Sequence, residues 1–560
     1  MKMTPAAARR IYEQHTEYWR KLRPEMRRLR NAYLMRYWQR SLAYDGSLLI
    51  ETSRAYEMIE SYIASLFVRD PAVVVTPDIR GRGDAELTQE VSNVWIEKQR
   101  KVIENALRMA LIYPAAFVKL CAQTNADVLQ RVAAEPVGPW DVIVDDTAST
   151  WSGQRYVGHR YYVPIDVAKE RFGAKKYAKR SFSRFLDNQG EDNEGDVPVW
   201  RRDEDPNPEQ IEDYILVVEF YDLVENKLRV WSPDYSEGKE WLFKGVEVEV
   251  GVEEGAAETF DEIPFQTQSG RTVLPIIPVY LSEEPDDPLR GYSALRRVYD
   301  QVVEINTIRT FQANGIRRAA RQWLVQKGVL DPEAMAKIAQ GQDGEFVEVE
   351  LTPGQELGSC MIPLPHTPVP QELQIYEKQV EDDFGRGSIM APFTRGEATK
   401  ATATEVSALA AYSASEIGRM ARERDAAIAG LAEAYSVMLG VLMGDETEVV
   451  RLSNRPQVLN AKDLTGDFGF FAVDSGSTPV AEAVKKQELL NLLPVLQGLG
   501  VPNALLLEKV VRLYDLPEDF LPTGSSTPAA PPVGAPPAPL PTPGQSQAVL
   551  PPGAQIQDGG

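Results

Sequence analysis

Three histidines, two cysteines and a few adjacent carboxylates are the residues best suited to chemistry, and their spacing argues against each use. His15, His159 and His366 lie far apart and outside any nucleophile or zinc motif. Cys121 and Cys360 cannot form a disulfide framework and fit a reducing environment. Asp145-Asp146 and Asp382-Asp383 are adjacent, but adjacency alone makes no metal site, and solvated faces account for them. Gly396-Glu397-Ala398-Thr399-Lys400-Ala401-Thr402 has the flavour of a phosphate-cradling loop with the wrong spacing, and no Gly-x-Ser-x-Gly elbow occurs. The expectation is a chain that is not an enzyme and holds neither metal nor cofactor.

What remains is charge. Over 560 residues, 60 basic side chains face 82 acidic ones, for a net of −22. Such a surface repels phosphate over most of its area, which excludes a nucleic-acid coat protein and makes any DNA contact local. Cations gather in three places. The first forty residues carry a net of +8, with Tyr12, Trp19, Leu22, Met26, Leu29, Tyr33 and Trp38 at near-helical spacing. That pattern fits a nucleic-acid-binding helix, or a helix docking its aromatics on its own protein and its arginines on acidic neighbours. The second cluster is Arg309, Arg317, Arg318 and Arg321, at the end of a helical pattern running from Ser293 to about Arg318. The third is Arg386, Arg395 and Lys400, in a segment from Gly385 to Lys400 punctuated by glycines and Pro392 that reads as a loop.

The elements that must position these groups follow from periodicity. Helices are expected from Leu48 to Phe67 and from Asp84 to Tyr113. Strand-like runs follow between Val128 and Tyr162, with a hairpin around Glu225-Asn226. Trp241 to Val252 and Leu274 to Leu281 extend the sheet, the latter as an edge strand because of Pro275 and Pro278. Asp187 to Asp213 carries eleven carboxylates against Arg201 and Arg202. It fails the calcium-loop register and reads as a solvated or disordered excursion rather than a metal site. A segment with short β-like runs, including Trp323-Leu324-Val325 and Glu345 to Leu351, separates the Ser293 helix from a second helix, Gln371 to Phe384. Thr402-Ala403-Thr404-Glu405 is a capping box, and the helix it opens continues to Met443, roughly 60 Å at 1.5 Å per residue. A span of that length suits an elongated subunit packed beside copies of itself. Pro522 to Pro552 is low-complexity and reads as disordered, or as a proline-rich ligand for an aromatic groove. No secretory signal follows Lys2, and no run approaches about 18 uninterrupted apolar residues, so neither export nor a membrane span is expected.

Leu274-Pro275-Ile276-Ile277-Pro278-Val279-Tyr280-Leu281, then Arg290-Gly291-Tyr292-Ser293 and a long helix, resembles the portal (head-to-tail connector) proteins of short-tailed bacteriophages. Arg395-Gly396-Glu397, followed by the capping box, looks like that family's channel loop and helix start. The order of elements matches from about residue 5 to 515. The resemblance implies an α+β, predominantly helical, elongated subunit. Its parts would be a wing (1–289), a first stem helix (290–320), a clip (321–366), a second stem helix (367–390), the channel loop and long wing helix (391–470), a helical crown (471–521) and a Pro-rich tail (522–560).

It further implies a ring of about twelve subunits at one capsid vertex, assembled in the host cytoplasm and retained in the virion. Double-stranded DNA would pass through it during packaging and ejection. The partners would be the terminase motor, the tail adaptor, and the major capsid and scaffolding proteins, with no membrane. Arg386, Arg395 and Lys400 would face the channel, with Arg309, Arg317, Arg318 and Arg321 as a basic cluster on the stem. Trp323, Glu345, Phe346 and Glu348 would dock partners at the clip. An acidic wall with a few cationic points lets a polyanion slide, since each fixed phosphate contact acts as a brake. The alternatives are a non-conducting phage structural or scaffold protein, and a metal-dependent nuclease built from scattered carboxylates.

Overall fold

The computed structural model describes residues 3–38, 49–67, 71–77, 83–123, 126–173, 175–180, 182, 185–187, 213–243, 246–248, 258–260, 262–282, 284, 289–319, 323–325, 361–363, 371–388, 403–452 and 455–472. The first helix, α1 (Pro5–Tyr33), starts where Thr4 accepts a hydrogen bond from the Ala7 amide and Pro5 occupies the first turn. It buries Trp19, Met26 and Leu29 and keeps most of its arginines at the surface. Trp19 meets Trp140 edge-on at 6.3 Å, and Arg296 pairs with Glu25. Docking on the chain's own body is thus the reading realised along the inner face.

Helix α2 (Arg54–Leu66) begins later than its sequence pattern suggests. The Ile50 and Thr52 amides are instead taken by the side chains of Thr310 and Asn306. Strand β1 (Val73–Thr76) precedes α3 (Ala85–Ile112), which Asp84 caps through the Leu87 amide. Strands β2 (Ala116–Ala122) and β3 (Val132–Val137) follow. A five-stranded antiparallel sheet then forms from β4 (Val142–Ile143), β5 (Tyr156–Pro164), β6 (Tyr214–Asp222), β7 (Lys227–Trp231) and β8 (Trp241–Phe243), in that spatial order. The turn between β6 and β7 puts Asn226 at φ 51°, the left-handed geometry that Asn tolerates. Helix α4 (Ile165–Phe172) covers one face of this sheet, and the start of α1 covers the other with Ala8, Ile11 and Tyr12.

Strand β9 (Val246–Val248) corrects the expectation that Trp241 to Val252 extends one sheet. It pairs with β10 (Glu258–Phe260) as a separate ribbon. Strand β11 (Ile276–Val279) likewise does not extend the five-stranded sheet but is the edge of a separate three-stranded one, β11-β2-β3, which suits Pro275 before it and Pro278 within it.

The chain then projects a helical pair. Helix α5 (Tyr299–Ala319) leads to β12 (Trp323–Val325), which pairs with β13 (Met361–Pro363), and α6 (Gln371–Gly387) returns antiparallel to α5. Helix α7 (Ala403–Met443) follows as one unbroken element of 41 residues. Strands β14 (Thr447–Leu452) and β15 (Arg455–Asn460) form a hairpin, a single helical turn follows, and β16 (Gly469–Ala472) pairs with β1. The described part is therefore a helix-rich α+β arrangement. Within α7, Glu416–Met443 is long and apolar enough by composition to cross a membrane, although charged residues interrupt it, and 72% of its most apolar 18-residue stretch is buried in the body. It is the core helix of the largest hydrophobic cluster, packed on α2, α3 and the β11-β2-β3 sheet.

Trp95 of α3 stacks on Tyr435 of α7 at 4.4 Å. Each ring also donates a hydrogen bond to a backbone carbonyl, Trp95 to Val132 and Tyr435 to Leu129. Burial raises the Tyr435 phenol far above its ordinary range, so it serves as a fixed donor.

The charged groups at the centre of the five-stranded sheet are paired. Lys119 of β2 donates to Glu219 at 2.6 Å and to the His159 Nδ1 at 2.9 Å, and Tyr161 donates to Glu219 at 2.5 Å. Burial opposes the charge on Glu219, but Lys119 and Arg171 win and hold its carboxyl down at about 2. Burial, reinforced by Lys119, keeps His159 neutral well below its ordinary value, and burial lowers His15 to about 3. Asp145 corrects the solvated reading of the Asp145-Asp146 pair. It is 1% exposed, Arg155 clasps it at 2.5 Å and 3.0 Å, and that pairing holds its carboxyl at about 2. Asp146 pairs with Arg290 at 2.5 Å.

The start of the projecting pair is fixed to the body at a tight junction. Gly291 has φ +66°, and a Cβ there would lie 2.4 Å from the Pro114 carbonyl oxygen. Ser293 donates to the Ile112 carbonyl at 2.7 Å and accepts from the Arg296 amide at 3.1 Å, joining the end of α3 to the turn that leads into α5. Helix α5 therefore starts at Tyr299, after a 3-10 turn at Arg296–Val298, and not at Ser293 as its sequence pattern suggests.

Two measurements test this account. Gly291→Ala is expected to cost about 2–4 kcal/mol, by combining left-handed strain with a backbone clash. Gly270→Ala, also at positive φ but in open space, is expected to cost only about 1 kcal/mol. Denaturant titration of both variants checks the contrast. The second concerns pH. Below 6.5 the unfolded chain binds protons that the buried rings of His15 and His159 refuse. Stability present above 6.5 is therefore lost as pH falls, by up to ~1.4 kcal/mol per pH unit per ring. Glu219 acts lower: its contribution is present above 4.5 and lost between 4.5 and about 2. His159→Gln should flatten the slope of stability between pH 6.5 and 4.5, as read by urea denaturation at several pH values.

Candidate functional site

The antiparallel pair α5–α6 collects most of the described residues to which the sequence assigns a role. Its near half is built into the body. Val302, Ile305 and Ile308 of α5 and Val380 and Phe384 of α6 are buried, as their spacing of three and four dictates. The last turn of α6 lies against Val298, and Tyr62 donates to the Ser388 carbonyl just beyond it. Asn306 accepts from both the amide and the hydroxyl of Thr52 at 2.8 Å, which ties the segment before α2 to the middle of α5.

Charge holds the two helices together. Arg309 of α5 lies 2.5 Å from Glu377 and 3.4 Å from Glu381 of α6. Gln312 donates to Glu377 at 2.7 Å, and Arg54 of α2 reaches the same Glu381 oxygen at 3.1 Å. Three helices thus share one pair of carboxylates spaced four residues apart. Arg309 is the counterion of both glutamates. The spacing of Glu377 and Glu381 on a helix returning past Arg309 is the signal that could have disclosed this network in the sequence.

Beyond this network the apolar surface is uncovered. Phe311 and Ile316 are 62% and 64% exposed, and Ile375 and Tyr376 are 62% and 45% exposed. On a 3.6-residue period Ile316 and Tyr376 continue the core-facing lines of their helices past the point where the body ends. Phe311 and Ile375 lie on outward faces. The distal half therefore presents large apolar side chains in several directions.

Arg386 stands in the last turn of α6, exposed, and not in the loop expected from Gly385 onward. Its charge suits the carbonyl end of that helix. Arg395 and Lys400 lie outside the described residues, as do Arg321, Glu345, Phe346 and Glu348. Arg317 and Arg318 occupy the final turn of α5 and Trp323 begins β12, placed by backbone alone. The structure thus brings Arg309 and Arg386 onto one helical pair and joins the two ends of the inserted segment through β12 and β13. The acidic stretch 188–212, the capping Thr402, and the crown and tail from residue 473 onward also lie outside the described residues. Among the described residues no three His, Cys, Asp or Glu side chains gather where they could hold a metal ion.

No protein-family model matches the chain, and no curated protein matches it. Among solved structures it is similar to a chain from the neck of an empty GTA particle computed with C6 symmetry. The two are 12% identical, with a TM-score of 0.38, over 83% of this chain and 90% of that one.

Proposed function

We propose that the chain is a ring-forming subunit of a phage-type particle that conducts double-stranded DNA. In this reading it is a portal protein that docks a packaging motor and later a tail adaptor, and it carries no catalytic site of its own. The observation that carries the reading is the half-covered helical pair. Its near end is fixed by Ser293, Thr52 and Arg54, while its far end exposes Phe311, Ile316, Ile375 and Tyr376 on more than one side. Apolar surface facing two directions calls for a neighbour on each side. A repeated head-to-tail contact that closes is a ring. The acid balance suits a conduit: copies at −22 each repel the polyanion they enclose, and Arg309, the described stem cation, is neutralised by Glu377 and Glu381.

Sedimentation and negative-stain imaging test the ring. The wild-type chain is expected to form closed rings with a central opening at micromolar concentration. Phe311→Asp combined with Ile375→Asp should yield monomers with an unchanged far-ultraviolet dichroism spectrum. A folded monomer as the sole wild-type species would sink the reading, and rings without an opening would assign the chain to a non-conducting structural role. For the DNA path, Arg395→Glu together with Lys400→Glu should leave rings intact while lowering the DNA packaged per particle. It should also reduce the salt slope of DNA binding by about one per lost contact. Normal packaging by such rings would show that this segment does not handle DNA through charge.

A further inference from the structure

Strand β2 faces two ways. Val118 and Leu120 belong to the largest hydrophobic cluster, with α3 and α7, whereas Phe117 packs among Val157, Tyr221 and Leu228 of the five-stranded sheet. Side chains alternate along a strand, so Lys119 and Cys121 share the side of Phe117. The joint between the two sheets is therefore apolar at Phe117 and charged one step further along.

At the charged end the polar groups hold one another. Lys119 Nζ donates to Glu219 Oε2 at 2.6 Å and to His159 Nδ1 at 2.9 Å. Tyr161 donates to the other Glu219 oxygen at 2.5 Å, and its ring stacks on His159 at 5.2 Å. Arg171 of α4 stands 3.9 Å from Glu219 and 3.5 Å from the Tyr161 hydroxyl, and the Tyr221 hydroxyl lies 3.5 Å from Glu219. Cys121 of β2 and Glu135 of β3 border the cluster, and Arg160, beside His159, is held by Asp141 at 3.0 Å. Lys119, His159 and Glu219 are all buried.

An ammonium can only donate, so His159 Nδ1 is the acceptor and the ring proton sits on Nε2. A second proton has one place to go, Nδ1, and Lys119 is aimed at that atom. Glu219 has both oxygens engaged already, by Lys119 and Tyr161. Protonation in place would set two cations against each other inside the joint. A buried ion pair also holds such a joint less firmly than apolar packing would. We propose that Lys119, His159 and Glu219 form an acid-released latch. A proton taken by His159 displaces Lys119, and the five-stranded sheet parts locally from β2 while the α3–α7 core stays folded.

The direction follows from linkage. The ring is held neutral well below 6.5 in the closed joint and titrates near 6.5 once exposed, so closure is favoured above 6.5 and weakens as pH falls. The open population should rise by up to about tenfold per pH unit between 6.5 and 4.5. Glu219 adds to this only below 4.5.

Thiol labelling of the full chain with 4,4′-dithiodipyridine, which stays reactive in acid, tests the latch. Val157→Cys places a reporter in the joint and Ala432→Cys one in the α7 core, both at fully buried positions. Rates are read peptide by peptide and divided by that of free cysteine at the same pH. Labelling at position 157 is expected to accelerate about tenfold per pH unit below 6.5, well ahead of position 432. Adding His159→Gln, whose amide oxygen accepts from Lys119 without titrating, should remove the acceleration. Lys119→Gln is the second variant: its oxygen can meet a protonated ring, so the slope should flatten there too. No acceleration at 157, equal labelling at 432, or a slope unchanged in either variant overturns the proposal.

Discussion

The burial of α7 is the constraint from which the rest of the described structure follows. A helix with the apolar content of Glu416–Met443 cannot stand in water, and its neighbours are arranged to cover it. Helices α2 and α3 lie along it, the β11-β2-β3 sheet closes another side, and the Trp95–Tyr435 stack fixes the register between α3 and α7. Arg424, fully buried in the middle of α7, donates to the Leu66 carbonyl at the end of α2 and pairs with Asp425, so its charge is compensated where it is desolvated. Because α3 is set by α7, its last carbonyls are set too, and these are the groups that receive Ser293. The direction in which the helical pair leaves the body is thus inherited from the core through one short chain of contacts.

Elements with a strong period were legible in the sequence. The spacing of Leu295, Val298, Val302 and Ile305 marked a face that is buried, and Pro275 and Pro278 marked an edge strand that is an edge strand. The unbroken run to Met443 was equally plain. What escaped were features that depend on a partner distant in sequence. Leu48 to Arg54 has helical composition, yet the amides of Ile50 and Thr52 find side-chain acceptors on α5, and tertiary pairing overrides the local preference. Asp145 looked like half of a solvated acid pair, because nothing local reveals that Arg155 folds back onto it. Arg309 read only as part of a basic cluster, because the glutamates that pair with it lie about seventy residues further on.

That last error has a general cause. Counting charge along a chain treats every ionisable group as solvated, whereas folding sorts charges into paired and unpaired sets. The buried set here, Lys119 with Glu219 and Arg424 with Asp425, contributes almost nothing to the outer field. The field is set by exposed groups, and there the asymmetry is large: one cationic helix face on a chain with a net of −22. Part of that face is compensated on the helix itself, where Glu13 pairs with Arg9 and Glu17 with Arg20 and Lys21.

The same sorting explains why the helical pair divides into two halves. Near the body several polar groups of α5 and α6 find partners on α2, on the segment before it, or on the other helix of the pair. The last of these is the Arg309–Glu377–Glu381 network. Past that network, among the described residues, Phe311, Ile316, Ile375 and Tyr376 stay exposed and apolar. Were the distal half meant to face solvent alone, polar residues would serve at those four positions at little cost in helix propensity. Apolar residues there gain stability only when something covers them. A second copy is the cover that every subunit can supply, because the contact that one helical pair lacks on one side is the contact it offers on the other.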